Sequence, residues 1–164
     1  MLRTPTKRSR KRGFSLLELV IVVVIIGIIA AIAIPRMSRG TAGAGDAAVA
    51  GDLAVLRNGI DLYAAEHGGA FPALATIANQ LMQYTDSVGG AQAAKDATHI
   101  YGPYLRKVPP LPVGERKGKI TFTDTVPAAT TADAGWYYNA TTGDILANCK
   151  DAEVDASGTQ YNDY

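Results

Sequence analysis

Glu18 is the only charged residue in FSLLELVIVVVIIGIIAAIAI, residues 14–34. An acid inside a bilayer-length apolar helix costs roughly 2.5–3.5 kcal/mol. A segment that served only as an anchor would gain by losing it. Glu18 therefore calls for a specific partner, or for a place close enough to the interface to stay hydrated. It is the strongest chemical signal in the chain.

Other chemistry is sparsely signalled. Cys149 is the only cysteine, so no internal disulfide can form. Adding His67 and His99 does not supply a zinc-binding set. Asp124, Asp133 and Asp144 offer the hard oxygen ligands that calcium takes. Acids on surface turns are ordinarily solvated, however, so no cofactor is expected, with calcium on these acids kept as the alternative. Gly114 to Lys119 fails as a P-loop: the spacing is one residue short, and Ile120 stands where Ser or Thr would be needed. Gly40, Gly43 and Gly45 have no preceding strand to make a dinucleotide loop. Arg106, Lys107, Arg116, Lys117 and Lys119 form a basic cluster, read as solvated charge or as a partner for acidic neighbouring surfaces and not as a nucleic-acid site. No nucleophile–base pair is visible, so the chain is not expected to be an enzyme.

The element that carries Glu18 comes next. About 21 apolar residues at 1.5 Å each make roughly 31 Å of helix, enough to cross a bilayer core of about 30 Å. Arg3, Lys7, Arg8, Arg10, Lys11 and Arg12 precede the run, and only Arg36 and Arg39 closely follow it. The positive-inside rule then places the N-terminus in the cytoplasm and the rest outside. With six of the 16 basic residues in the first 13 positions, residues 14–164 hold 10 basic against 15 acidic ones. The run is long for a secretory signal, although Ala31 to Ala33 imitates a signal cleavage site.

Pro35 cannot donate a helical hydrogen bond, and Gly27 lowers local helix propensity, so a break is expected between them. From Asp46 a helical pattern returns. Val49, Leu53, Leu56, Ile60 and Tyr63 share one face, and Gly68, Gly69 and Pro72 end it. Leu74, Ile77, Leu81 and Tyr84 predict a short second helix. Residues 85–99 read as a loop, and the four prolines within 101–114 read as an ordered surface loop. Lys119 to Asp124 predicts a strand. Gly135–Asn139 and Ile145–Cys149 predict a hairpin, with Trp136 and Tyr138 on one face. The acidic tail from Lys150 is expected to be loose. The fold class is therefore α+β, a long N-terminal helix packed on a small antiparallel sheet. The divisions are a basic leader at 1–13, a transmembrane helix at 14–35, an amphipathic helix at 36–69, a head at 70–150 and a tail at 151–164.

Residues 11–35, KRGFSLLELVIVVVIIGIIAAIAIP, resemble the prepilin signal of type IV pilins and type II secretion pseudopilins. The resemblance implies a pilin fold and cleavage by prepilin peptidase between Gly13 and Phe14. It also implies N-methylation of Phe14 and assembly into a homopolymer through Glu18. Related filaments often unwind the segment that corresponds here to Gly27–Pro35. In the head, GPYLRKVP at 102–109 and GWYYNATTGDILAN at 135–148 are similar to G-type pseudopilins, whose heads usually carry an Asp-Pro-Trp-Gly-like stretch and a calcium site. Here the corresponding residues are Pro110, Leu111, Pro112, Val113 and Gly114, with neither Asp nor Trp. The implied function is a subunit of a type II secretion pseudopilus. The alternatives are a major or minor pilin of a type IV pilus, or a membrane-tethered periplasmic binding protein. The implied partners are the peptidase, an inner-membrane secretion or pilus platform, and minor pilins or pseudopilins. The implied location is the bacterial inner membrane, single-pass, with the head periplasmic and incorporated into a periplasmic or surface filament.

A cut after Gly13 would leave a positive amine on Phe14 at the positive end of the helix dipole. Glu18 lies one turn on, along the same face. Its carboxylate can offset that amine or the amine of a neighbouring subunit. Intact-mass and N-terminal analysis of the membrane-extracted protein is expected to find a mature chain beginning at Phe14. A start at Met1, or after Ala33, would contradict this reading.

Overall fold

In a computed structural model, residues 14–127 and 133–164 are described, with the side chains of 32–42 excepted. The leader, including Gly13, lies outside the described residues. The chain divides after Arg39 into two units.

Helix α1 spans Leu16–Glu66. It is continuous across Gly27 and Pro35, so neither position interrupts it in the isolated chain. A proline removes one hydrogen bond, and the neighbouring turns can carry the helix past a single lost bond. In the second unit α1 buries the predicted stripe. Val49, Leu53, Leu56, Ile60 and Tyr63 are each at most 3% exposed. Past Glu66 the chain leaves the helix through two left-handed glycines, Gly68 and Gly69, and the Gly69 amide donates to the Ala64 carbonyl at 2.8 Å.

Helix α2, Ile77–Met82, is shorter than the sequence pattern predicts. Leu74 precedes it, and Tyr84 lies in the following strand. The stretch expected to be a loop folds into a minimal antiparallel pair, β1 (Tyr84–Thr85) and β2 (Ala91–Gln92). Strands of two residues leave no periodicity to read.

The larger sheet has three strands in the order β3 (Phe122–Thr123), β4 (Trp136–Tyr138), β5 (Ile145–Ala147). The predicted hairpin is β4–β5, antiparallel, with Trp136 opposite Ala147. The strand expected from Lys119 shrinks to β3 and runs parallel to β4, so this sheet is mixed. The α+β class stands: a long N-terminal helix, a small antiparallel sheet and a mixed sheet.

Trp136 and Tyr138 share the inward face and are fully buried. Each satisfies its polar tip on a backbone carbonyl. Trp136 Nε1 donates to Pro109 O at 2.9 Å, and Tyr138 Oη donates to Pro72 O at 2.8 Å. The proline-rich segment is irregular and partly on the surface, as expected, but it is not confined there. Leu105, Val108 and Leu111 enter the core, and Leu105 packs so closely on α1 that a Cβ added at Gly59 would stand 3.1 Å from it. Prolines prevent a regular ladder here without preventing burial. The backbone is partnered locally, with the Leu111 amide donating to Lys119 O and the Gly118 amide to Leu111 O.

The tail is not loose. Val154 bridges Gln160, and Tyr161–Asp163 form a 3-10 turn. Tyr161 is 8% exposed, and its hydroxyl donates to Asp46 Oδ1 on α1 at 2.6 Å. Arg57 of α1 donates to the carbonyl oxygens of Tyr164 and Ile145. Composition suggests disorder for this stretch, but two tyrosines supply enough apolar area to dock it. Tyr161→Phe removes a charge-assisted hydrogen bond and is expected to cost about 1.5–3 kcal/mol. Limited proteolysis should then cleave first between Lys150 and Tyr164. An unchanged melting temperature and cleavage pattern would show that the tail is held without this bond.

Candidate assembly site

The first turn of α1 holds the residues to which the sequence assigns chemistry. Phe14 and Ser15 precede the helix, and the first backbone bond runs from the Leu19 amide to Ser15 O at 3.2 Å. Glu18 is the acidic residue of that turn. A carboxylate there meets the unpaired amides and positive dipole of the helix start. Phe14 is 75% exposed and Glu18 is also exposed, so both are open to a partner. Gly13, the other half of the predicted cut, lies outside the described residues.

Every large apolar side chain from Leu16 to Ile29 is between 47% and 81% exposed. A helix that is apolar on all sides is stable only when something apolar surrounds it. Burying each Val, Leu or Ile is worth about 1.5–3 kcal/mol, so the run strongly favours lipid or other copies of itself over water. Among the described residues, no helix is long and apolar enough to cross a membrane. The described apolar side chains reach only Ala31, about 16 residues or roughly 24 Å, against the about 20 residues that a span requires. The sequence itself continues apolar to Ile34.

The three candidate calcium ligands do not converge. Asp133 pairs with Lys119 at 2.8 Å. Asp144 accepts from Thr142 Oγ1 at 2.5 Å within the β4–β5 turn. Asp124 lines a small cleft with Tyr137, Asn139 and Thr141. Among the described residues, no three His, Cys, Asp or Glu side chains come together as a metal site. The basic cluster is not uniformly solvated. Arg116, expected to be solvated, is 7% exposed and donates to Asn148 O at 2.7 Å. Cys149 is fully buried, and burial pushes its thiol up to about 12, so it is inert as a nucleophile.

Residues 8–34 match the prokaryotic N-terminal methylation motif, the prepilin-type signal of type IV pilins and pseudopilins. Neither a curated protein nor a solved structure matches the chain. The motif covers the end of the basic leader from Arg8, then Phe14, Glu18 and the apolar run. It implies processing by prepilin peptidase and polymerisation into filaments.

Sequence reasoning missed a second surface feature. Residues 86–90 form a turn between β1 and β2 that is clamped from below. Asp86 Oδ1 accepts from the Val88 amide at 3.0 Å and the Gly90 amide at 2.7 Å. Gln80, 6% exposed, donates to Gly89 O at 2.9 Å and to Tyr63 Oη at 3.1 Å. The turn holds Val88 outward, 89% exposed. The only sequence signal was Asp followed by Gly-Gly, which marks a turn but not its rigidity.

The Gly90 amide above all, with those of Val88 and Gly89 and the charge of His99, holds the Asp86 carboxyl below its usual range. A depressed folded pKa stabilises the turn above the ordinary carboxylate value of about 3.9, and that contribution is lost as pH falls through the folded value. Amide exchange at Val88 and Gly90 is therefore expected to lose protection, relative to the core strands, on acidification below about pH 4. Asp86→Asn should show the weakened protection already at neutral pH. Protection that does not respond to acid or to the substitution would show that Gln80 alone fixes the turn.

Proposed function

We propose that this chain is a structural subunit of a type II secretion pseudopilus. It is cut between Gly13 and Phe14 by prepilin peptidase, methylated on Phe14 and assembled into a helical filament for protein export. The observation that carries the reading is one acid, Glu18, in the first turn of an otherwise all-apolar exposed helix inside a prepilin-type signal. The G-type likeness at 102–109 and 135–148 supports the pseudopilus over a surface pilus. Before assembly the precursor sits in the bacterial inner membrane, spanning it once, with its N-terminus cytoplasmic and its head periplasmic. Its partners are further copies of itself, an inner-membrane secretion platform and minor pseudopilins. The function is structural, with no cofactor.

A second reading, a major or minor pilin of a type IV pilus, is favoured by one observation. Residues 110–114 lack the Asp and Trp that G-type heads usually carry. Neighbouring genes for a secretion ATPase and secretin, or for pilus retraction, discriminate between the two. A membrane-tethered binding protein would have no use for Glu18. Continuity of α1 through Gly27 and Pro35 describes the isolated chain, and any unwinding there belongs to the assembled state.

Glu18 works by pairing with the Phe14 amine of a neighbour, which places each incoming subunit in register. In lipid that pair is far stronger than in water. Glu18→Ala is expected to leave membrane insertion and cleavage intact, because the helix becomes more apolar and the cut depends on Gly13. Filament yield, measured by shearing and crosslinking, should collapse. Normal filaments from the variant would refute the pairing and revive the tether. Lost insertion would show that the helix needs Glu18 to enter the membrane.

A further inference from the structure

We infer that the apolar groove between α2 and β3 receives the Val88 turn of a second copy of this chain. The inference rests on the reading that the chain polymerises, and adds to it a head-to-head contact independent of Glu18.

The groove has a volume of about 700 Å³. Leu74, Ala78 and Met82 line one wall, and Val108, Ile120 and Phe122 the other. Ile120 is 53% exposed although it belongs to the wall of an otherwise apolar cleft. An open apolar cleft of this size on a small head marks a surface that binds something.

Val88 has the properties of its occupant. It is more exposed than any other large apolar residue among those described, Phe14 and the α1 run included. It is also held rigidly. Asp86 and the buried Gln80 use four hydrogen bonds on the turn and its support, so little conformational freedom remains to be lost on docking. An exposed apolar side chain fixed in this way is preorganised for a complementary pocket.

Charge fixes the direction of docking. The Asp86 carboxyl beside Val88 is held in its ionised form by backbone amides. The groove's lining includes one cation, Lys107, whose charge also acts on Asp52 of α1. Seating Val88 among Leu74, Met82 and Phe122 brings the Asp86 of the docking copy toward Lys107. Opposite charges at the edge of an apolar contact set register and disfavour the reverse arrangement. The turn and the groove are different patches of one head, so the contact is heterologous. Such a contact repeats from copy to copy, into a ring where its rotation closes and into an open filament where it does not, unlike a self-complementary one, which stops at a dimer.

The test uses full-length chains in membranes of producing cells. Val88→Cys and Ile120→Cys are made singly, each with a different epitope tag, and treated with a short bismaleimide. Both positions are exposed, so folding should survive, and Cys149 is buried beyond the reagent's access. The co-produced pair is expected to give a mixed-tag dimer that neither variant gives alone, and the doubly substituted chain a ladder of higher species. Val88→Asp should lower the sedimentable filament fraction by about tenfold or more, as expected for a loss of at least about 1.4 kcal/mol per contact. Filaments without the mixed-tag dimer would overturn this contact and leave the filament reading standing; that is also the outcome if a lipid chain fills the groove. A mixed-tag dimer without sedimentable filaments would keep the contact and overturn the filament reading. If neither forms, both fall.

Discussion

One helix has to satisfy two solvents. Up to Ala31 the described side chains of α1 are apolar on every side, apart from Glu18. From Val49 onward α1 is apolar on one face only, and that face is the floor of the head's core. The first half demands an apolar environment that the described residues do not provide. The second half provides one for everything that follows. The periodicity of 3.6 residues is what separates the two demands within a single element. A shift of one or two residues in the stripe would turn Leu53 and Leu56 away from the sheet and leave Trp136 and Tyr138 without a floor.

The head then closes with little regular structure. Its strands are two or three residues long, and the antiparallel hairpin contributes only β4 and β5. Side chains do the fastening that ladders do in larger sheets. Trp136 and Tyr138 bury their rings and place their polar tips on the carbonyls of Pro109 and Pro72. Those two bonds tie the proline-rich segment and the link between α1 and α2 to the same strand. Asn148, fully buried, donates to Ala134 O at 2.7 Å and holds the entry to β4 in place. A small domain with few ladder bonds depends on such buried polar anchors being satisfied.

Much of this was legible in the sequence, and the failures share a cause. The stripe from Val49 to Tyr63, the hairpin and the shared face of Trp136 and Tyr138 are periodic signals, and each appears where expected. The signal around Glu18 was legible because its cost in lipid demands an explanation. What escaped was burial without periodicity. Prolines at 103, 109, 110 and 112 mark an irregular chain, but irregular does not mean exposed: Leu105, Val108 and Leu111 lie in the core. The tail misled by composition: its acids outnumber its tyrosines, yet Tyr161 anchors it. The direction of β3 depends on a crossover that no local pattern reports. The outward aim of Val88 depends on Gln80, a residue of α2 whose role is visible only once the turn has folded over it.

The tail returns to α1 at Asp46, only a few residues after the head begins at Gly40. The start of the head and the segment around Tyr161 are therefore fastened to each other. A pull applied along α1 would meet this clasp beside Asp46 as well as the core stripe that begins at Val49. Drawing the helix from the core would then have to break two kinds of contact at once, a charge-assisted hydrogen bond and buried apolar packing.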